Sequence, residues 1–78
     1  MEHYIGIDVS KATLQVHLPL TGEDFNIENS SKGLRALWAK IKKRYRKEIA
    51  SVAFIFEPTG SYSTLLRRFC HGHQIRCF

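Results

Sequence analysis

Long apolar runs are missing from this sequence. No stretch approaches the roughly 20 residues that a bilayer-spanning helix needs, and Met1-Glu2-His3 is not the basic, then apolar, start of a secretory signal. Both absences point away from the membrane and toward the cytoplasm. Cysteine is scarce as well: Cys70 and Cys77 alone cannot build a disulfide scaffold, and a reducing compartment keeps them as thiols. Repeats, low-complexity tracts and interdomain linkers are lacking. At 78 residues the chain is one domain at most, and a single core of that size is only marginally stable, so a piece of a larger domain is expected.

What is present is the composition of an ordinary globular chain. An apolar share of 44% with 24% charged residues argues against global disorder. The net charge of +5 is informative through its placement: Lys40, Lys42, Lys43, Arg44, Arg46 and Lys47 are six of the twelve bases, and without them six bases face seven acids. The whole basic excess is therefore one run. A concentrated cationic patch suits a polyanion, nucleic acid first. The same run also suits a solvated helix end, where cations complement the C-terminal dipole.

Alternation of apolar and polar residues predicts three strands at the start of the chain. Tyr4 to Val9 is β-rich and carries Asp8 near its end; Leu14, Val16 and Leu18 alternate in the second strand, and Phe25 and Ile27 in a half-exposed third. Ser10-Lys11-Ala12 joins the first pair, and Pro19 to Gly22 supplies turn residues. Asn29-Ser30-Ser31 then offers capping side chains to an amphipathic helix with Leu34, Leu37, Trp38, Ile41 and Tyr45 on one face, reaching Lys47. Ala50 to Phe56 is nearly continuous apolar sequence, which predicts a strand buried on both faces, and it ends in Glu57. A second helical stripe runs through Tyr62, Leu65, Leu66 and Phe69, with Gly72 as its stop, and Gln74 to Phe78 reads as a fifth strand.

The predicted order is βββαβαβ in an α/β fold. A hairpin pairs the first two strands, and a right-handed crossover brings the fourth beside the first, giving a mixed five-stranded sheet ordered 3-2-1-4-5. Sites in open α/β sheets form beyond the carboxyl ends of strands where connections diverge to opposite sides. Asp8 and Glu57 occupy two such ends. Converging carboxylates are hard oxygen ligands suited to Mg²⁺ or Mn²⁺, and such ions activate water and stabilise the leaving oxygen of a phosphodiester. The alternative is local: Asp8 opens a turn, and Glu57 favours the start of the next helix.

The sequence resembles a known family at these positions. Ile5 to Leu14 with its "GIDVSK" block, Asn29 with Gly33 and Leu37, then the "EPTG" block from Glu57 to Gly60, followed by Ser61, Tyr62, Leu65 and Leu66, are similar to the amino-terminal RuvC-like domain of DEDD transposases. These belong to the insertion-sequence family called IS one-ten, which includes the Piv-type DNA invertases. The likeness spans nearly all of the chain. It implies an RNase H-like fold over residues 1–78 and a metal site of four carboxylates, with Asp8 as the first catalytic acid and Glu57 as the second. It further implies DNA as substrate, Mg²⁺ or Mn²⁺ as cofactor and, in the family, a structured guide RNA as partner. The family's two remaining aspartates lie beyond the fifth strand, and a serine of its carboxyl-terminal domain serves strand exchange. The 78 residues contain neither, so the isolated chain is expected to bind metal weakly and to be inactive alone.

Other residues carry weaker signals. Lys11, in the first turn, is placed to contact a phosphate or to stand solvated. Together with Lys40, Lys42, Lys43, Arg44, Arg46 and Lys47 it makes up the candidate nucleic-acid contacts, which Arg67 and Arg68 could extend. Thr59, Gly60 and Ser61 open a helix whose amide groups could face an anion, but capping explains the same residues without any ligand and is the reading taken unless a phosphate is bound. Cys70, His71, His73 and Cys77 lack the paired spacing of a structural zinc site. Trp38, Tyr45, Phe54, Phe56 and Phe69 read as core. Two rival functions remain: a non-catalytic nucleic-acid-binding or dimerisation module, and a fragment of an actin-like or sugar-kinase-like ATPase. The glycine-free turn Val9-Ser10-Lys11-Ala12 disfavours the second, since nucleotide phosphates need close backbone approach. An edge strand with unpaired backbone groups also predicts self-association into a homo-oligomer.

Overall fold

The period-2 pattern builds a meander. In the computed structural model, which describes residues 2–57 and 60–78, β1 (His3–Val9), β2 (Thr13–Leu18) and β3 (Glu23–Glu28) pair antiparallel in chain order. Ile5, Ile7, Leu14, Val16 and Leu18 all point to one face and are buried there, with Phe25 and Ile27 packed against them.

Helix α1 (Ser31–Tyr45) begins where Ser30 Oγ accepts the Gly33 N–H at 3.0 Å, so the cap is the middle residue of the polar trio. Leu34, Leu37, Ile41 and Tyr45 recur at helical spacing and are buried against the sheet; the three aliphatic side chains contribute about 1.5–3 kcal/mol each. The helix stops at Tyr45, two residues short of the expected Lys47. Arg46 takes a positive φ of 45° while its N–H still reaches the Lys42 carbonyl, and Arg46–Ser51 continues as a 3₁₀ turn.

β4 (Val52–Ile55) then lies parallel to β1, a 3₁₀ turn at Gly60–Ser63 leads into α2 (Thr64–Gly72), and β5 (Arg76–Cys77) lies parallel to β4. The fifth strand is shorter than expected, although Phe78 extends its pairing through hydrogen bonds with Phe54 and Phe56. The sheet order is β3-β2-β1-β4-β5, a mixed α/β sheet as the strand count predicts. No helix among the described residues is long and apolar enough to cross a membrane.

One expectation is corrected. β4 is not buried on both faces: Ile55 is 45% exposed, beside exposed Tyr4 and Phe78. The crossovers β3-α1-β4 and β4-α2-β5 step in the same direction along the sheet, and two right-handed steps in one direction lay both helices on the same side. Leu66 and Cys70 of α2 accordingly share the core with Leu34, Leu37 and Ile41 of α1. Among the described residues, the other face carries no helix. The divergence after β1 and β4 is therefore between a hairpin and a helix, not between two helical layers.

Candidate functional site

Strand register brings Asp8 and Glu57 together. In the parallel β1-β4 ladder Gly6 stands opposite Ile55, and each chain runs on two residues from that last pair to reach Asp8 at the end of β1 and Glu57 just past the end of β4. Alternation puts Asp8 on the face away from buried Ile7, the face without helices. Both carboxylates are exposed and line one open hollow of about 680 Å³. Gly6 makes part of its floor. A side chain there would meet nothing within 4 Å, so the hollow exists partly because position 6 has none.

The two carboxylate-bearing ends are tied by Asn29. Its side-chain Nδ2 donates to the Ser10 carbonyl at 2.9 Å and to the Tyr62 carbonyl at 3.0 Å, joining the turn after β1 to the segment after β4. Its own backbone N–H donates to Ala12 O at 2.9 Å. Within that turn Ser10 N–H and Ser10 Oγ both donate to the Thr13 carbonyl, at 3.0 and 2.8 Å. Lys11 is exposed at the tip, at the same end of the sheet as Asp8. Thr59, a candidate anion contact, lies outside the described residues.

Neither Asp8 nor Glu57 enters an ion pair among the described residues. Nor do any three His, Cys, Asp or Glu side chains of the described residues gather closely enough to hold a metal ion. Two exposed carboxylates in one hollow, outside any ion pair among the described residues, have the hard oxygen donor chemistry that suits a divalent cation. Pattern reading gave no role to His17 and Asp24, which line the same hollow. They stand opposite each other on β2 and β3, His17 Nδ1 lies 2.7 Å from Asp24 Oδ1, and strand alternation alone could have put both on the open face.

The basic run is divided and displaced. Glu23 of β3 draws Arg44 to 2.8 Å and Lys40 to 3.5 Å. Hydrogen bonds from Arg44 and then Thr21 pull the Glu23 carboxyl down to about 2. Lys40 also sits 3.9 Å from the centre of the Phe25 ring. These two of the candidate nucleic-acid contacts are therefore engaged within the fold, while Lys42, Lys43, Arg46 and Lys47 are exposed. Their end of α1 adjoins the amino end of β1, where His3 meets Tyr45 at 5.3 Å and Glu48 at 3.5 Å. Helix α1 runs back along the sheet for 15 residues, so its basic end lies roughly 20 Å from the carboxylates. Of the seven candidate contacts, Lys11 alone stands at their end.

The cysteine and histidine cluster is also separated by burial. Cys70 is in the core, and burial, then the nearby Cys77, pushes its thiol up to about 12. His71, His73 and Cys77 are exposed. In comparisons with known proteins, no family model and no curated protein matches the chain.

Proposed function

We propose that the chain is the first part of an RNase H-like domain of the DEDD transposase kind, acting in the cytoplasm on DNA with Mg²⁺ or Mn²⁺. The observation that carries this reading is the juxtaposition of Asp8 and Glu57 at the carboxyl ends of adjacent parallel strands, in one hollow and outside every ion pair among the described residues. Asp8 and Glu57 would hold the ion, which when bound activates a nucleophile and stabilises a leaving oxygen of the phosphodiester. The chain's own contribution is to bring the two carboxylates into one hollow and to tie the segments that follow them through Asn29. A guide RNA and self-association belong to the same proposal.

Titration with Mn²⁺ followed by NMR tests it. Paramagnetic broadening should centre on residues around Asp8 and Glu57 and should fade in Asp8→Asn and in Glu57→Gln, with weak affinity because half the ligand set is present. Broadening that ignores both substitutions would overturn the assignment. The ATPase alternative loses ground on the same structure, because the Ser10 amide is spent inside its own turn rather than turned toward a phosphate. The reading as a nucleic-acid-binding module is favoured by the separation of the basic run from the carboxylates.

A further inference from the structure

The sheet divides the molecule by charge. Helix α1 holds Lys32, Arg35, Lys40, Lys42, Lys43 and Arg44, and α2 holds Arg67 and Arg68, while neither contains an Asp or Glu. On the far side of the sheet Asp8, Asp24 and Glu28 alternate onto the open face, with Glu57 beside them. A polyanion meets attraction on the helical layer and repulsion on the carboxylate face.

Between the helices runs a groove of about 240 Å³, with Arg35 on one side and Arg68, Phe69 and His73 on the other. Trp38 adjoins these residues. Its ring lies 4.8 Å from that of His73 and 5.9 Å from that of Phe69, and the Lys42 ammonium is 5.9 Å from its centre. Arg35, Trp38 and Lys42 recur at i, i+3 and i+7, one stripe of α1. Trp38 and Phe69 are only partly buried and His73 is exposed, so aromatic surface remains open between cations. The core takes one side of these rings and leaves the rest.

We propose that this groove binds a single strand of nucleic acid, with Arg35, Lys42 and Arg68 on phosphates and the Trp38-His73 pair as a platform for a base. Cations along a groove with aromatic faces between them are what sequence-tolerant strand binding requires. At about 240 Å³ the groove is far too small for a duplex. An acidic peptide would satisfy the charges and leave the rings without a stacking partner. The site is independent of the carboxylate reading, since it lies on the opposite face of the sheet and needs no metal.

Trp38 is the chain's one tryptophan and reports directly on its own site. With EDTA present, a mixed-sequence oligonucleotide should quench Trp38 fluorescence, and the affinity should fall steeply between about 50 and 200 mM salt. Arg35→Glu with Arg68→Glu should weaken binding by about tenfold or more while circular dichroism stays unchanged, since both residues are exposed. Arg76→Glu, on β5 and paired with Glu2, should bind as the parent does. No binding, binding that leaves Trp38 unmoved, equal quenching by heparin, or a folded double variant that binds like the parent would each overturn the proposal. Because EDTA removes divalent ions, strand binding and the Mn²⁺ titration succeed or fail separately.

Discussion

The Asn29 side-chain amide donates to the Tyr62 carbonyl at 3.0 Å, across 33 positions of sequence, and the same nitrogen donates to Ser10 at 2.9 Å. One side chain thus spans the turn that follows Asp8 and the segment that follows Glu57. Asn29→Ala removes both donors and leaves two carbonyls to find other partners. The expected loss is about 1–3 kcal/mol in urea unfolding. Mn²⁺ affinity should fall as well, although Asp8 and Glu57 are untouched. A variant with unchanged metal affinity would reduce Asn29 to a stability role.

Asp8 and Glu57 themselves should be dispensable to the fold. Both are exposed, neither is in an ion pair among the described residues, and their charges repel across neighbouring strands. Asp8→Asn and Glu57→Gln should leave thermal unfolding within about 0.5 kcal/mol of the parent, or raise it slightly. A loss of several kcal/mol in either variant would favour the reading in which these residues serve structure.

The parts of this architecture that were legible in the sequence are those that follow from periodicity and handedness. Leu14, Val16 and Leu18 alternate in a way only a half-buried strand satisfies, and a right-handed crossover after β3 leaves β4 beside β1. Asp8 and Glu57 follow from that strand order. The exposure of Ile55 did not follow, because an apolar run looks the same whether or not a second helical layer covers it. The fate of the basic run did not follow either: Lys40 and Arg44 look equivalent to Lys43 and Lys47 until β3 brings Glu23 beneath them. Helix α1 ends two residues before the position that its apolar pattern predicts, since nothing in Arg46 announces a positive φ.

Gly33 is required for close approach rather than for backbone freedom. A Cβ built there would overlap the Glu28 carbonyl oxygen, where the first turn of α1 lies on the end of β3. The obstacle is backbone, so no side-chain rotation relieves it, and the helix start must shift. Gly33→Ala is expected to cost about 2–3 kcal/mol despite the better helix propensity of alanine. Urea unfolding measures this, and a stabilised Gly33→Ala would mean that α1 stands further from β3 than described.

Glu23 ties β3 to α1 through Arg44 and Lys40, and that tie depends on pH. Its carboxyl titrates at about 2 in the fold against an ordinary value of 4.5, chiefly because Arg44 and then Thr21 hydrogen-bond to the charged form. The folded state therefore binds this proton less readily than the unfolded chain, and stability rises with pH wherever the unfolded state holds more protons. The contribution is fully present above pH 4.5 and is lost as pH falls toward 2. Other carboxylates titrate in the same range, so the informative quantity is the difference between the parent and Glu23→Gln. Thermal unfolding should show the parent more stable at pH 6, the two converging as pH falls through that window, and the gap narrowing with added salt because the pair is partly exposed. A gap that stays constant from pH 6 to pH 2 would show that Arg44 does not hold Glu23 in its charged form.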